Sequence, residues 1–265
     1  MEIRNCLYRG PLNGLIKDLS ANVEFKRCLR QSNVEKRMQD RALVLRFLAF
    51  YERTHFKCQA GLKKFLNTYK DAESEKIEEY RRVFAKCMKA CVTVFGENGF
   101  RLKTENGKRN SKSSSSGEWA SRPNAAIFQV VSTSFANHDL GQITRAADSI
   151  YEEYLDLIYT DLAWVDRVRR ATGESGRLTY TFDQWYKRLS DVLASSRLTN
   201  DSKRCFSLQL KKELFEANPI CSICGQRIRL IDDAALDHTF QYWRGGQTVP
   251  ENAQIAHRIC NQKKG

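Results

Sequence analysis

The sequence predicts a mainly α-helical protein. A helical N-terminal region covers residues 1–200, and a small metal-stapled module follows over 201–265. Three observations carry this reading. Apolar residues recur at helical spacing through much of the first 200 positions. After Pro219 the long periodicity gives way to glycines, a Cys-x2-Cys pair and short apolar pairs. Cysteine and histidine residues then bracket that last stretch at metal-ligand spacing.

Taken in order, the stretch from Asp40 through Tyr51 opens on a helix-capping residue type, Asp40, followed by closely spaced apolar positions. Ala72 to Phe95 reads as a long helix. Ile77, Tyr80, Val83, Phe84, Cys87, Met88, Cys91 and Val92 share one face, and Gly96 ends it in a left-handed cap. Residues 97–123 carry two Asn-Gly pairs, a serine run and scattered lysines. That composition buries little surface and predicts a flexible loop or linker. Helical spacing resumes near Asn124. One long helix is expected over Gln142 to Arg169, with Ile150, Tyr151, Tyr154, Leu155, Ile158 and Leu162 inward, and another over Phe182 to Ala194. A short helix from about Cys205 to Ala217 ends because Asn218 precedes a proline, which disfavours helical geometry there. The domain boundary is expected near Thr199 to Ser202.

A chain of 265 residues accommodates one or two domains with a sizeable core. Its net charge of +13 and pI near 9.4 favour a polyanionic partner, with nucleic acid first among them; a generic basic surface is the bland alternative. No apolar stretch approaches the ~20 residues of a membrane span. The run from Leu43 to Tyr51 is interrupted by Arg46 and suits a core helix. The opening MEIRNCLYRG lacks the apolar centre of a signal peptide. A cytoplasmic location is therefore expected, with Cys6, Cys28, Cys58, Cys87, Cys91 and Cys205 as reduced, mostly buried thiols.

The chemistry is concentrated after Cys221. Cys221 and Cys224 form one pair and His257 and Cys260 another, which suits four tetrahedral ligands of a structural zinc ion. His257 is the open member, since it serves either that zinc or a second, catalytic cation. Asp237 and His238 are adjacent, so in an extended strand their side chains face opposite ways. A histidine near neutrality can take a proton from water, and a carboxylate can hold a divalent cation. Asn252 has an amide suited to orienting an imidazole, and Asn261 a hard oxygen suited to Mg²⁺ or Mn²⁺. Arg258, Lys263 and Lys264 fit phosphate contacts or, equally, a solvated basic face.

The string CSICGQRI…LDHTFQYWRGGQT…ENAQIAHRICNQKKG closely resembles the HNH endonuclease family of the zinc-knuckle kind. The resemblance covers about Phe206 to Gly265. It implies a ββα-metal fold, two antiparallel strands and a helix around one cation. It also implies His238 as general base, Asp237 and Asn261 as ligands of the catalytic cation, Asn252 as the residue orienting His238, and Cys221, Cys224, His257 and Cys260 as zinc ligands. The chain differs from the commonest form in having His257 where a cysteine often stands and Asn261 where a histidine can stand. The implied activity is metal-dependent hydrolysis of DNA. A non-catalytic, zinc-stabilised nucleic-acid-binding or interaction subunit is the alternative.

A second resemblance lies upstream. EIRNCLYRGPLNGLI and VEKRMQDRALVLRFLAFYER are similar to the later part of GmrSD-type restriction proteins, over roughly residues 1–100. The ParB-like domain of those proteins, with its nucleotide-handling motif, is absent here. The resemblance therefore implies a role in restriction or anti-phage defence, the chain being a fragment, the C-terminal half of a split system whose ParB-like domain comes from a separate protein, or a diverged remnant.

Overall fold

The computed structural model describes residues 10–30, 39–52, 61–103, 119–170, 175–198 and 205–264. These residues are mostly helical, with one two-stranded sheet near the C-terminus. They form two compact units. One comprises Met1–Thr144 with Asp166–Trp185, the other Arg145–Val165 with Tyr186–Gly265. No described helix is long and apolar enough to cross a membrane.

In the first unit the helices are α1 (Pro11–Ser20), α2 (Val23–Leu29), α3 (Gln39–Tyr51), α4 (Gly61–Tyr69), α5 (Ser74–Phe95) and α6 (Ala125–Ser134). Helix α5 presents Tyr80, Phe84, Cys87, Met88 and Cys91 to the core, the face expected from their spacing. Phe84 meets Phe25 of α2 at 5.5 Å and Phe47 of α3 at 5.1 Å between ring centroids. Gly96 follows as expected, but with φ 55° and ψ −130° rather than in a left-handed cap; the positive φ still suits a residue without Cβ. Helix α6 is buried on every side from Ala126 to Ser134, and the hydroxyls of Ser132, Thr133 and Ser134 are satisfied by carbonyls of the helix itself. Its Ser134 hydroxyl accepts a hydrogen bond from Trp185 Nε1 at 2.9 Å. Burial pushes the Cys28 and Cys87 thiols up to about 12, so they behave as inert packing groups.

Four other expectations change. Asp40 lies within the first turn of α3 rather than capping it, where its charge favours the helix dipole. The expected helix over 142–169 is three helices, namely α7 (Leu140–Arg145), α8 (Ala147–Thr160) and α9 (Leu162–Arg169). Asp161 makes the second break. It leaves helical geometry, and its carboxylate accepts from Trp164 N at 2.8 Å, capping α9. The flanks of the expected linker are packed. Phe100, Arg101 and Leu102 are buried, and Lys103 pairs with Trp119, its ammonium 3.9 Å over the indole. Residues 104–118 lie outside the described residues, as do Cys6 and Cys58. Cys205 is exposed rather than buried.

Arg101 shows why its segment is ordered. Its guanidinium donates to the carbonyls of Cys28, Leu29, Glu97 and Gly99 at 2.8–2.9 Å. Cys28 and Leu29 end α2, so the buried arginine satisfies carbonyls that a helix C-terminus leaves open.

The second unit holds α8, the later part of α10 (Ser175–Leu198), α11 (Leu208–Ala217), β1 (Ala234–His238), β2 (Ala253–His257) and α12 (Arg258–Lys264). Ser207 caps α11 by accepting from Leu210 N, which starts that helix later than Cys205. The expected ββα order of strand, strand and helix is present.

Candidate metal centre

Strands β1 and β2 pair antiparallel, with Ala234 opposite His257, Leu236 opposite Ile255 and His238 opposite Ala253. Cys221, Ile228, Ala234, Ile255 and Ala256 form a small core, against which Phe215, Leu236 and Cys260 pack. Two strands alone are marginal in water, so this core requires further bracing. The cysteine turn is joined to the sheet directly, through Ser222 N donating to Ile255 O at 2.9 Å.

The four expected zinc ligands converge. One ligand atom each from Cys221, Cys224, His257 and Cys260 lies within 4.8 Å of all the others. His257 Nδ1 is 3.4 Å from Cys224 Sγ and 4.0 Å from Cys260 Sγ, which assigns His257 to this cluster rather than to the second cation. Burial pushes the Cys221 thiol up. The backbone N–H groups of Cys224, His257 and Ile223 more than offset this and bring it down to about 6. Desolvation and the neighbouring Cys224 and Cys221 thiols push Cys260 up to about 11. Three sulfurs and an imidazole this close fit a tetrahedral zinc ion, whose charge would stabilise all the thiolates together. The sign follows: at pH 7.5 Cys260 carries a proton that zinc binding must displace. Adding zinc to the chelator-stripped protein is expected to acidify a weakly buffered solution. An unchanged indicator reading would dismiss the site.

His238 ends β1 and is half-buried. Its ring packs 4.5 Å from Phe206 and 5.6 Å from Tyr242, and its Nε2 is 2.9 Å from Thr248 Oγ1. Asn252, expected to orient this ring, does something else. Its amide donates to Phe240 O at 3.0 Å and Gln247 O at 2.8 Å, and its oxygen accepts from Phe240 N at 2.7 Å. Both amide hydrogens are engaged by loop backbone, so the hydrogen bond to the ring comes from Thr248. Asn252 acts on the loop that carries His238 and Thr248.

The two glycines of that loop have separate reasons. Gly245 has φ 96°, in the left-handed region. A Cβ on Gly246 would come 1.9 Å from Phe240 O, a backbone atom that Asn252 already pins. Gly246→Ala is therefore expected to displace the loop and lower stability while leaving the Cys221, Cys224, His257 and Cys260 cluster able to take zinc; wild-type stability in urea denaturation would sink this reading. No side-chain contact betrays Gly246, so only the close approach reveals it.

Asp237 points away from His238, as strand alternation requires. Its Oδ2 accepts from Gln254 Nε2 at 2.7 Å and pairs with Lys264 Nζ at 2.5 Å. Asn261 lies three residues before Lys264 on α12, hence on the same helical face. Asp237 is thus a half-buried carboxylate on the strand against which the helix bearing Asn261 packs, and both side chains offer oxygen atoms of the kind a divalent cation such as Mg²⁺ or Mn²⁺ would take.

Arg258 is not a phosphate contact. It is 2% exposed and ion-paired with Glu152 at 2.7 Å and Asp156 at 2.6 Å, both on α8, and it donates to Asp232 O. A buried guanidinium already neutralised by two carboxylates has no surface to offer DNA. Lys263 is exposed, and Lys264 reaches Asp237. Sequence reasoning missed Phe206, Tyr242, Thr248 and Gln254 beside the site. Thr248 sits ten residues past His238, and only loop closure brings it to the ring.

The C-terminal module thus joins two antiparallel strands and a short helix to a Cys3His cluster that could hold a metal ion, with an Asp-His pair on its first strand. Residues 221–265 match the family model for the HNH endonuclease, which suggests nuclease activity in general. No curated protein and no solved structure matches the chain.

Proposed function

We propose that the chain is a metal-dependent HNH endonuclease that hydrolyses DNA phosphodiester bonds. The carrying observation is the placement of His238: its ring is held between Phe206 and Tyr242 and by Thr248, at the end of the strand that bears the cation-drawing Asp237. His238 takes the proton from the attacking water, as a histidine near neutrality can. Thr248 and the two rings fix its orientation, and Asn252 keeps the loop closed. Asp237 and Asn261 would hold Mg²⁺ or Mn²⁺, which when bound neutralises charge on the scissile phosphate and leaving oxygen. Cys221, Cys224, His257 and Cys260 would hold zinc and keep α12 against the strands. Lys263 remains a candidate phosphate contact, and the net charge of +13 supports a polyanionic substrate.

A role in restriction or anti-phage defence belongs to this proposal on the resemblance of residues 1–100 alone, as does a separate partner supplying a ParB-like domain. The same holds for the 1–200 and 201–265 domain division and for a cytoplasmic location.

The test is plasmid cleavage by the zinc-loaded chain with Mg²⁺ or Mn²⁺. Nicked or linear product is expected. Retardation of the plasmid without cleavage in any metal would replace the proposal with the non-catalytic binding module.

A further inference from the structure

Lys264 and Asp237 form a contact that the proposed reaction does not itself require. Lys264 Nζ lies 2.5 Å from Asp237 Oδ2 and 3.3 Å from the His238 carbonyl. Both side chains are partly shielded, at 28% and 13% exposure, so the pair is firmer than a loose surface bridge. Gln254 Nε2 occupies the same carboxylate oxygen. A divalent cation ligated by oxygen at about 2.1 Å cannot share that oxygen's lone pair with an ammonium. If ligation used the other carboxylate oxygen, two cations would face each other across one small group and repel.

From this geometry we propose that Lys264 competes with the catalytic cation for Asp237, and that a DNA phosphate relieves the competition by taking the ammonium. The inference rests on the nuclease reading and names its metal-affinity determinant. Lys264 is a positioning residue. It leaves Asp237 only when an anion is at hand, so metal loading and DNA binding favour one another, as coupled sites must reciprocally. The four-methylene side chain can swing between carboxylate and phosphate without moving α12.

The experiment is a Mn²⁺ titration, read by the spin resonance of the free ion, on the full zinc-loaded chain. Every protein carries His238→Ala, so that added duplex oligonucleotide stays intact. Lys264→Met is expected to bind Mn²⁺ roughly fivefold more tightly than its parent without DNA, the upper range for a partly exposed ion pair. Duplex DNA should narrow that gap. Lys212→Met removes the same charge from an exposed position on α11 and should leave affinity near the parent value. Equal affinities of the parent and Lys264→Met, an equal gain in Lys212→Met, or a gap that DNA leaves unchanged would each overturn the inference. Asp237→Asn separates the two levels. If it retains full Mn²⁺ binding, or if no protein binds Mn²⁺, the catalytic-metal reading itself fails. If it abolishes binding while Lys264→Met changes nothing, only the inference about Lys264 fails.

Discussion

His238→Ala is expected to lower plasmid cleavage by about 10²- to 10⁴-fold, the range for loss of a positioned general base. The fold should survive. The His238 ring lies between Phe206 and Tyr242 and is hydrogen-bonded to Thr248, and none of these belongs to the Cys221, Ile228, Ala234, Ile255 and Ala256 core. Zinc content and the circular dichroism spectrum should therefore match wild type. The contrast with Thr248→Val sharpens the reading. That change removes only the orienting hydroxyl, so it should cost less than removing the base and should lower kcat with little effect on KM. Undiminished cleavage by His238→Ala would remove the base from the mechanism. Loss of zinc along with activity would instead make His238 structural.

Arg258→Ala is expected to destabilise the second unit by about 3–5 kcal/mol, the usual result of removing one partner of a buried ion pair. Glu152 would keep Lys211 at 2.9 Å but lose the guanidinium, and Asp156 would lose its partner from α12. Burial first, and then the neighbouring Arg258 charge, pull the Lys211 ammonium below its ordinary range, so the cluster already sits where charge is costly. Urea denaturation followed by tryptophan fluorescence would measure the loss. The double variant with Glu152→Gln should recover part of it, because the unpaired carboxylate is then gone. A single variant within about 1 kcal/mol of wild type would show that the cluster is not under strain of this kind.

These cases mark how far the residue string can be read. The α5 face and the zinc cluster were legible because their partners lie at fixed short spacings: three or four residues along a helix, three within each ligand pair. Asp237 and His238 were legible by type and order, and their opposite orientation by strand alternation. Arg258 was not, because a basic residue next to a zinc ligand reads as surface until α8 is known to bring Glu152 across 106 positions. Arg101 was missed for the same reason, since two of its four carbonyl partners, those of Cys28 and Leu29, lie over 70 residues away. Asn252 was picked out by pattern, yet its task was misread. Its bonds go to the main chain of Phe240 and Gln247, and no residue identity encodes a main-chain partner. The break at Asp161 was hidden because Leu162 and Val165 continue the apolar rhythm across it.

The pairing of Arg258 with Glu152 and Asp156 bears on anyone who would treat the C-terminal module as a portable cassette. A fusion built from residues 201–265 would transfer every ligand and the whole sheet, yet strand an arginine whose counter-charges stayed behind on α8. The transferable piece has to bring Ala147–Thr160 with it, a helix lying well upstream of the metal ligands in the chain. Moving the module to another protein thus takes two separate stretches of the gene rather than one.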